Sequence, residues 1–176
     1  MFNVGDLIIY GGTGVCRVKD ITHPDFGMPE DRLYYILEPV YQAGTIYAPV
    51  DNGKVYMRPV ISEEEANELI DIMPEVHTEI YKSSSIQQLS KHYQAIIDTH
   101  KCLDLIRLTK SIRKKKEAAM KQNRRLGQID KKFMKRAEDL LFGELAAALD
   151  MSRDDLDSYI QNRIHDNETV IDRTVD

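Results

Sequence analysis

The hydrophobic pattern of this 176-residue chain changes period at Ser62, and that change constrains the fold more than any other feature. Before it, short runs rich in Val, Ile, Tyr and Thr are broken by turn residues, the pattern of strands. After it, apolar residues recur at three- and four-residue spacing, the pattern of helices. Ser62-Glu63-Glu64-Glu65 has the form of a capping box, in which the serine hydroxyl takes the amide of Glu65 and the Glu65 carboxylate reaches back to Ser62. It predicts a helix from Glu63 to about Met73, stopped by Pro74. The chain therefore reads as α+β: a strand-built domain over 1–60, an all-α helical bundle over 61–165, and a disordered polar tail over 166–176.

The first part holds five candidate strands, at 6–10, 14–21, 32–40, 44–50 and 54–60. They are separated by Gly11-Gly12-Thr13-Gly14, a loop over His23–Pro29, Ala43-Gly44 and Asp51-Asn52-Gly53. Five short strands with open edges invite aggregation, so a five-stranded SH3/Tudor-like β-barrel is expected. The Gly11–Gly14 stretch lacks the Gly-Lys-Ser/Thr ending of a phosphate loop and precedes a strand, so it reads as a turn.

In the second part, a helix at 86–98 carries Ile86, Leu89, Tyr93, Ile96 and Ile97 on one face. The next, at about 101–122, buries Cys102, Leu105, Ile106, Leu108, Thr109, Ile112 and Ala119. A fourth, at about 130–149, has Glu144 on its apolar face, and a lone buried carboxylate is costly. Arg113 or a tyrosine hydroxyl is its expected partner. Ser152 caps a last helix to about Ile164.

Charge is distributed very unevenly. Residues 82–136 contain 16 Lys or Arg and four acids, in a chain whose total charge is −5. Arg107, Lys110, Lys114 and Lys121 repeat as one basic stripe along the third helix, and the turn at Arg124-Arg125 adds to it. A cationic run unbalanced by acids predicts a polyanion partner. Without zinc-finger or ribonucleoprotein patterns, contact would be mainly with backbone phosphates, at a log K against log salt slope of roughly −4 to −5 for four to six phosphates.

Other classes find little support. The five histidines are scattered, no nucleophile or Walker pattern occurs, and paired carboxylates such as Glu63/Glu64 belong to the cap, so neither catalysis, a metal site nor a cofactor is expected. Apolar runs fall short of the roughly 20 residues a membrane span needs. The start, MFNVGDLIIY, lacks a basic n-region, and Cys16 and Cys102 are far apart, which predicts a cytoplasmic protein with reduced thiols.

Several motifs resemble the CarD/CdnL family of bacterial transcription regulators. Val4-Gly5-Asp6 with Tyr10 and Gly14-Val15 is similar to its opening strands, and Tyr34-Tyr35-Ile36-Leu37 with Ile46-Tyr47-Ala48-Pro49-Val50 to its middle hairpin. Leu126 to Asp130-Lys131, then Ala137 and Leu141-Phe142-Gly143-Glu144-Leu145-Ala146, resembles its C-terminal motif. The resemblance covers about 1–150; transcription-repair coupling factors share the barrel. It implies a non-enzymatic, monomeric, nucleoid-associated regulator whose barrel holds the RNA polymerase β subunit through Thr45, Ile46, Tyr47 and Pro49. Tyr47 stands where many members carry Arg, so the family's ion pair there is lost. The helical domain would hold upstream promoter DNA, largely without sequence preference, through minor groove and phosphates, and stabilise the open promoter complex. Lys91 and Lys131 match its basic positions, and Arg107, Lys110, Arg113, Lys114, Arg124 and Arg125 extend them. Leu89 aligns with the family's minor-groove wedge, yet it also lies on its helix's apolar face, and both readings stand. The alternatives are an RNA- or ribosome-associated factor and a pure protein-interaction adaptor.

Overall fold

The computed structural model describes residues 1–25, 27, 31–51 and 53–174. Phe26, Met28 and Pro29 of the predicted loop, Asn52 of the predicted turn, and the last two tail positions lie outside the described residues. The chain divides into two compact units, Met1–Ile61 and one beginning at Ser62.

In the first unit, β1 (Leu7–Tyr10), β2 (Gly14–Thr22), β3 (Tyr34–Pro39), β4 (Ile46–Pro49) and β5 (Met57–Pro59) pair antiparallel in the order β4-β3-β2-β1-β5. Strand alternation sends Ile8, Cys16, Val18, Tyr35, Leu37 and Ala48 into one core, with Ile46 and Met57 packed against it. All five strands thus share a single apolar interior, as a barrel requires. The ladder itself does not close: β4 pairs with β3, β5 pairs with β1, and the two remain edges. A bulge keeps the pattern in register. Val18 faces Leu37 and Asp20 faces Ile36, so Lys19 is the extra residue. That one-residue shift returns Ile21 to the core side, opposite Tyr35.

Gly11–Thr13 form a single 3-10 turn leading into β2. Gly11 has φ +44°, and a Cβ there would meet Val55 Cγ1 at 2.9 Å, so no other residue fits without a shift. Cys16 is fully buried, and burial pushes its thiol up to about 11, which makes it unreactive.

The second unit contains α1 (Glu63–Ile72), α2 (Ile86–Ile97), α3 (Cys102–Lys121), α4 (Gln128–Ala148) and α5 (Arg153–Thr174). The capping box forms at α1: the Glu65 amide donates to Ser62 Oγ at 3.1 Å, and the Ser62 amide to Glu65 Oε2 at 2.7 Å. Its core joins Ile70 of α1, Tyr93 of α2, Leu108 and Ile112 of α3, Leu141 and Leu145 of α4, and Leu156 of α5, all nearly inaccessible.

One expectation needs correcting here and another sharpening. α5 does not fray after Ile164 but runs to Thr174. No Pro or Gly interrupts it, and Arg163 and Asn167 both donate to Asp71 on α1, at 2.7–2.9 Å. Glu144 is buried, and a donor that the spacing did not suggest reaches it: Cys102 Sγ donates to its Oε2 at 3.1 Å. Cys102 begins α3 beside the C-terminal half of α4, whereas Arg113 lies three turns further on and faces Glu138 at 3.7 Å.

Candidate nucleic-acid interface and sheet edge

The α3–α4 corner owes its shape to one residue. Asn123 adopts φ +54°, a conformation that Asn tolerates better than most residues. Its amide donates to Met120 O at 3.1 Å, and that of Arg124 donates to Ala119 O at 2.8 Å, the paired bonds of a Schellman ending. The chain then leaves α3 with Arg124 and Arg125 exposed before α4 begins at Gln128.

A groove of about 790 Å³ lies along this corner, between the second half of α3 and the first half of α4. It gathers Arg113, Arg124, Arg125 and Lys131, four of the cations expected to bind DNA, with Lys116 beside them. Among the described residues Lys116, Arg124, Arg125 and Lys131 have no acidic partner. Lys91, on α2, is exposed and likewise without one. Arg107 pairs with Asp104 one turn back, at 3.3 Å.

The basic stripe expected along α3 is largely engaged elsewhere. Lys110 Nζ donates to Met73 O at 2.6 Å, Ser111 Oγ to Glu79 O at 2.7 Å and Lys114 Nζ to Thr78 O at 2.7 Å. Thr78 and Glu79 lie outside regular helix or sheet, so their carbonyls need donors, and α3 supplies them. Met73 belongs to a short 3-10 turn after α1, and its carbonyl accepts from the Val76 amide as well as from Lys110. Burial, with Lys114 and Arg113 close by, lowers the Lys110 pKa from its ordinary value.

Lys115 is engaged more deeply. Its Nζ donates to Asp130 Oδ1 at 2.9 Å, and the Tyr93 hydroxyl reaches the same oxygen at 2.6 Å. Asp130 is 4% exposed in the first turn of α4, where a carboxylate also meets the positive end of the helix dipole. Burial and this bond push the Tyr93 hydroxyl's pKa well up. Spacing gave no sign of this node, because Lys115 reads as one more member of a basic run.

On α2, Leu89 is 7% exposed, among the buried apolar residues. To enter a DNA groove it would have to leave that packing. Ile86, expected on the same apolar face, is instead 67% exposed at the start of the helix. The first three residues of α2 are exposed and burial begins at Leu89, and periodicity alone cannot locate where packing begins.

The polymerase-contact residues expected in the first unit fall on the edge strand β4 and the residue before it. Val50 N donates to Leu33 O at 2.9 Å, and strand alternation then turns the amides of Ala48 and Ile46 toward β3. The N–H and C=O of Thr45 and Tyr47 therefore face outward, with the carbonyl of Pro49. Proline at 49 fits that assignment, since the amide it lacks would have pointed away from the sheet. The same holds at the other edge: Val60 N donates to Leu7 O, so Pro59 of β5 also faces out. Tyr47 is 42% exposed on the outer face, while Ile46 packs against the core.

Among the described residues no helix is long and apolar enough to cross a membrane, and no group of acids, histidines and cysteines has the arrangement of a metal site. No match to the chain was found among curated proteins. Residues 2–61, however, match the CarD-like/TRCF RID domain, a family of non-enzymatic interaction domains found in RNA polymerase-interacting transcription factors. The match spans nearly the whole first unit and is consistent with a CarD-like family member.

Proposed function

We propose that this protein is a transcription regulator that docks on the RNA polymerase β subunit through β4 and holds upstream promoter DNA through the α3–α4 corner. The observation that carries the reading is the outward row of backbone groups at Thr45, Tyr47 and Pro49, presented by a CarD-like/TRCF RID domain. An extended segment of the β subunit adds to that edge as a further strand, and the exposed Tyr47 ring covers it in place of the family's Arg. Targeting therefore comes from main-chain pairing, and salt should affect it little.

DNA is held by the cations that have no acidic partner: Lys91, Lys116, Arg124, Arg125 and Lys131. Lys110 and Lys114 act instead through the backbone they support. The apolar side chain that α2 exposes is Ile86 rather than Leu89. With polymerase held by the first unit and duplex by the second, binding the melted promoter better than the closed one lengthens the life of the open complex.

The test is open-complex lifetime on a purified promoter, with wild type and with Arg124→Glu/Arg125→Glu. The wild type should extend the lifetime and the variant should not. An unchanged lifetime with the wild type, together with binding to RNA hairpins, would favour an RNA-associated factor instead.

A further inference from the structure

The α3–α4 groove has more than a phosphate contact needs. Its rim carries six cations against two carboxylates, and its floor is apolar, made by Met120, Leu126 and Met134. Met120 is 64% exposed, although it lies in an otherwise basic stretch. Phosphates use cations and backbone amides; they gain nothing from thioethers. A duplex keeps its bases stacked inside and cannot cover that floor. An unpaired base could, but such sites rely on aromatic platforms, and no aromatic ring lines this groove. Flexible Met side chains suit a different guest, since they repack around varied aliphatic and aromatic anchors on peptide-binding surfaces.

We propose that the groove docks an acidic protein segment bearing one large apolar side chain, with the anchor on Met120, Leu126 and Met134 and its flanking carboxylates on Lys116, Arg124, Arg125 and Lys131. Rim and floor are then both used. Because the same cations hold DNA, the segment and the duplex exclude each other, and an acidic partner releases the helical unit from promoter DNA. That competition rests on the DNA-binding reading; the docking does not.

The experiment measures binding of the full chain to two fluorescein-labelled acidic peptides, identical except for a central Leu or Ser. The Leu peptide should bind about tenfold more tightly, the scale set by burying one such side chain. Met120→Gln, at an exposed position, should remove most of that preference without altering thermal stability or duplex binding, and Met134→Gln should remove the rest. Unlabelled duplex should displace the Leu peptide. Equal affinity for the two peptides overturns the proposal, as does a preference that survives both substitutions. Tighter binding of labelled oligothymidine that is lost in Met120→Gln would also overturn it, and assign the floor to an unpaired base. Absence of duplex binding to the wild type would overturn the DNA reading and the competition, while the peptide preference, measured without DNA, would still decide the docking.

Discussion

The two ends of the basic run on α3 and α4 differ in what their charges do. From Arg107 to Lys115, cations sit beside carbonyls or carboxylates of the protein itself: Asp104, Met73, Thr78 and Asp130. From Lys116 to Lys131, the cations at the corner have no such neighbours. The sequence gives both ends the same appearance. What separates them is the stretch that follows α1, whose carbonyls at Met73 and Thr78 take the nearest ammonium groups, and a buried Asp130 that requires a partner. Charge that is already satisfied contributes to stability, and charge that is not contributes to binding.

Substitutions at each end should pull these roles apart. The largest effect is expected at Lys115, whose side chain is 19% exposed against a nearly buried Asp130. Lys115→Met leaves that buried charge without its counter-ion and with only the Tyr93 hydroxyl, and chemical denaturation should register a loss of about 3–5 kcal/mol. A loss below about 1 kcal/mol would mean that the engaged end is not structural. Lys110→Met should cost less, about 1–3 kcal/mol for a charged hydrogen bond to Met73 O, and should leave the salt dependence of DNA binding unchanged. Arg124→Ala with Arg125→Ala should do the opposite. Stability should stay within about 0.5 kcal/mol, while the slope of log K against log salt weakens by about 2, one for each phosphate contact removed. If Lys110→Met weakens that slope as much, the division between the two ends is wrong.

The smallest effect concerns pH. The hydrogen-bonded Arg163 guanidinium holds the Asp71 carboxyl below its usual range. A group with a lowered folded-state pKa contributes in full above its unfolded value, and that contribution is lost as pH falls through the lowered one. Melting temperature should therefore drop between about pH 5 and pH 3, and Asp71→Asn should flatten part of that drop.

Much of this architecture was legible in the sequence, for physical reasons that also mark where reading stops. The strands and the Ser62 cap were visible because alternation and a capping box are local patterns that tertiary context seldom reverses. The open β4 and β5 edges were less so: a shared core suggested closure, whereas Pro49 and Pro59 sit at outward positions. Had those prolines been read as register marks, the unpaired edge would have been apparent. The partners of Glu144, Lys110 and Lys115 were not legible at all, since each lies more than ten residues away and depends on how helices pack. Ile86 and Leu89 share a helical face, and only packing decides that one is exposed and the other buried.

The central claim is that an unpaired β4 edge targets this protein to polymerase, and Tyr47→Pro tests it most directly. That change removes one outward N–H and no ladder bond, so the sheet should melt as the wild type does. Retention of the full-length chain on immobilised RNA polymerase β subunit is then the measurement. The wild type should be retained and Tyr47→Pro lost at every salt concentration; a variant retained as well as the wild type would contradict the account.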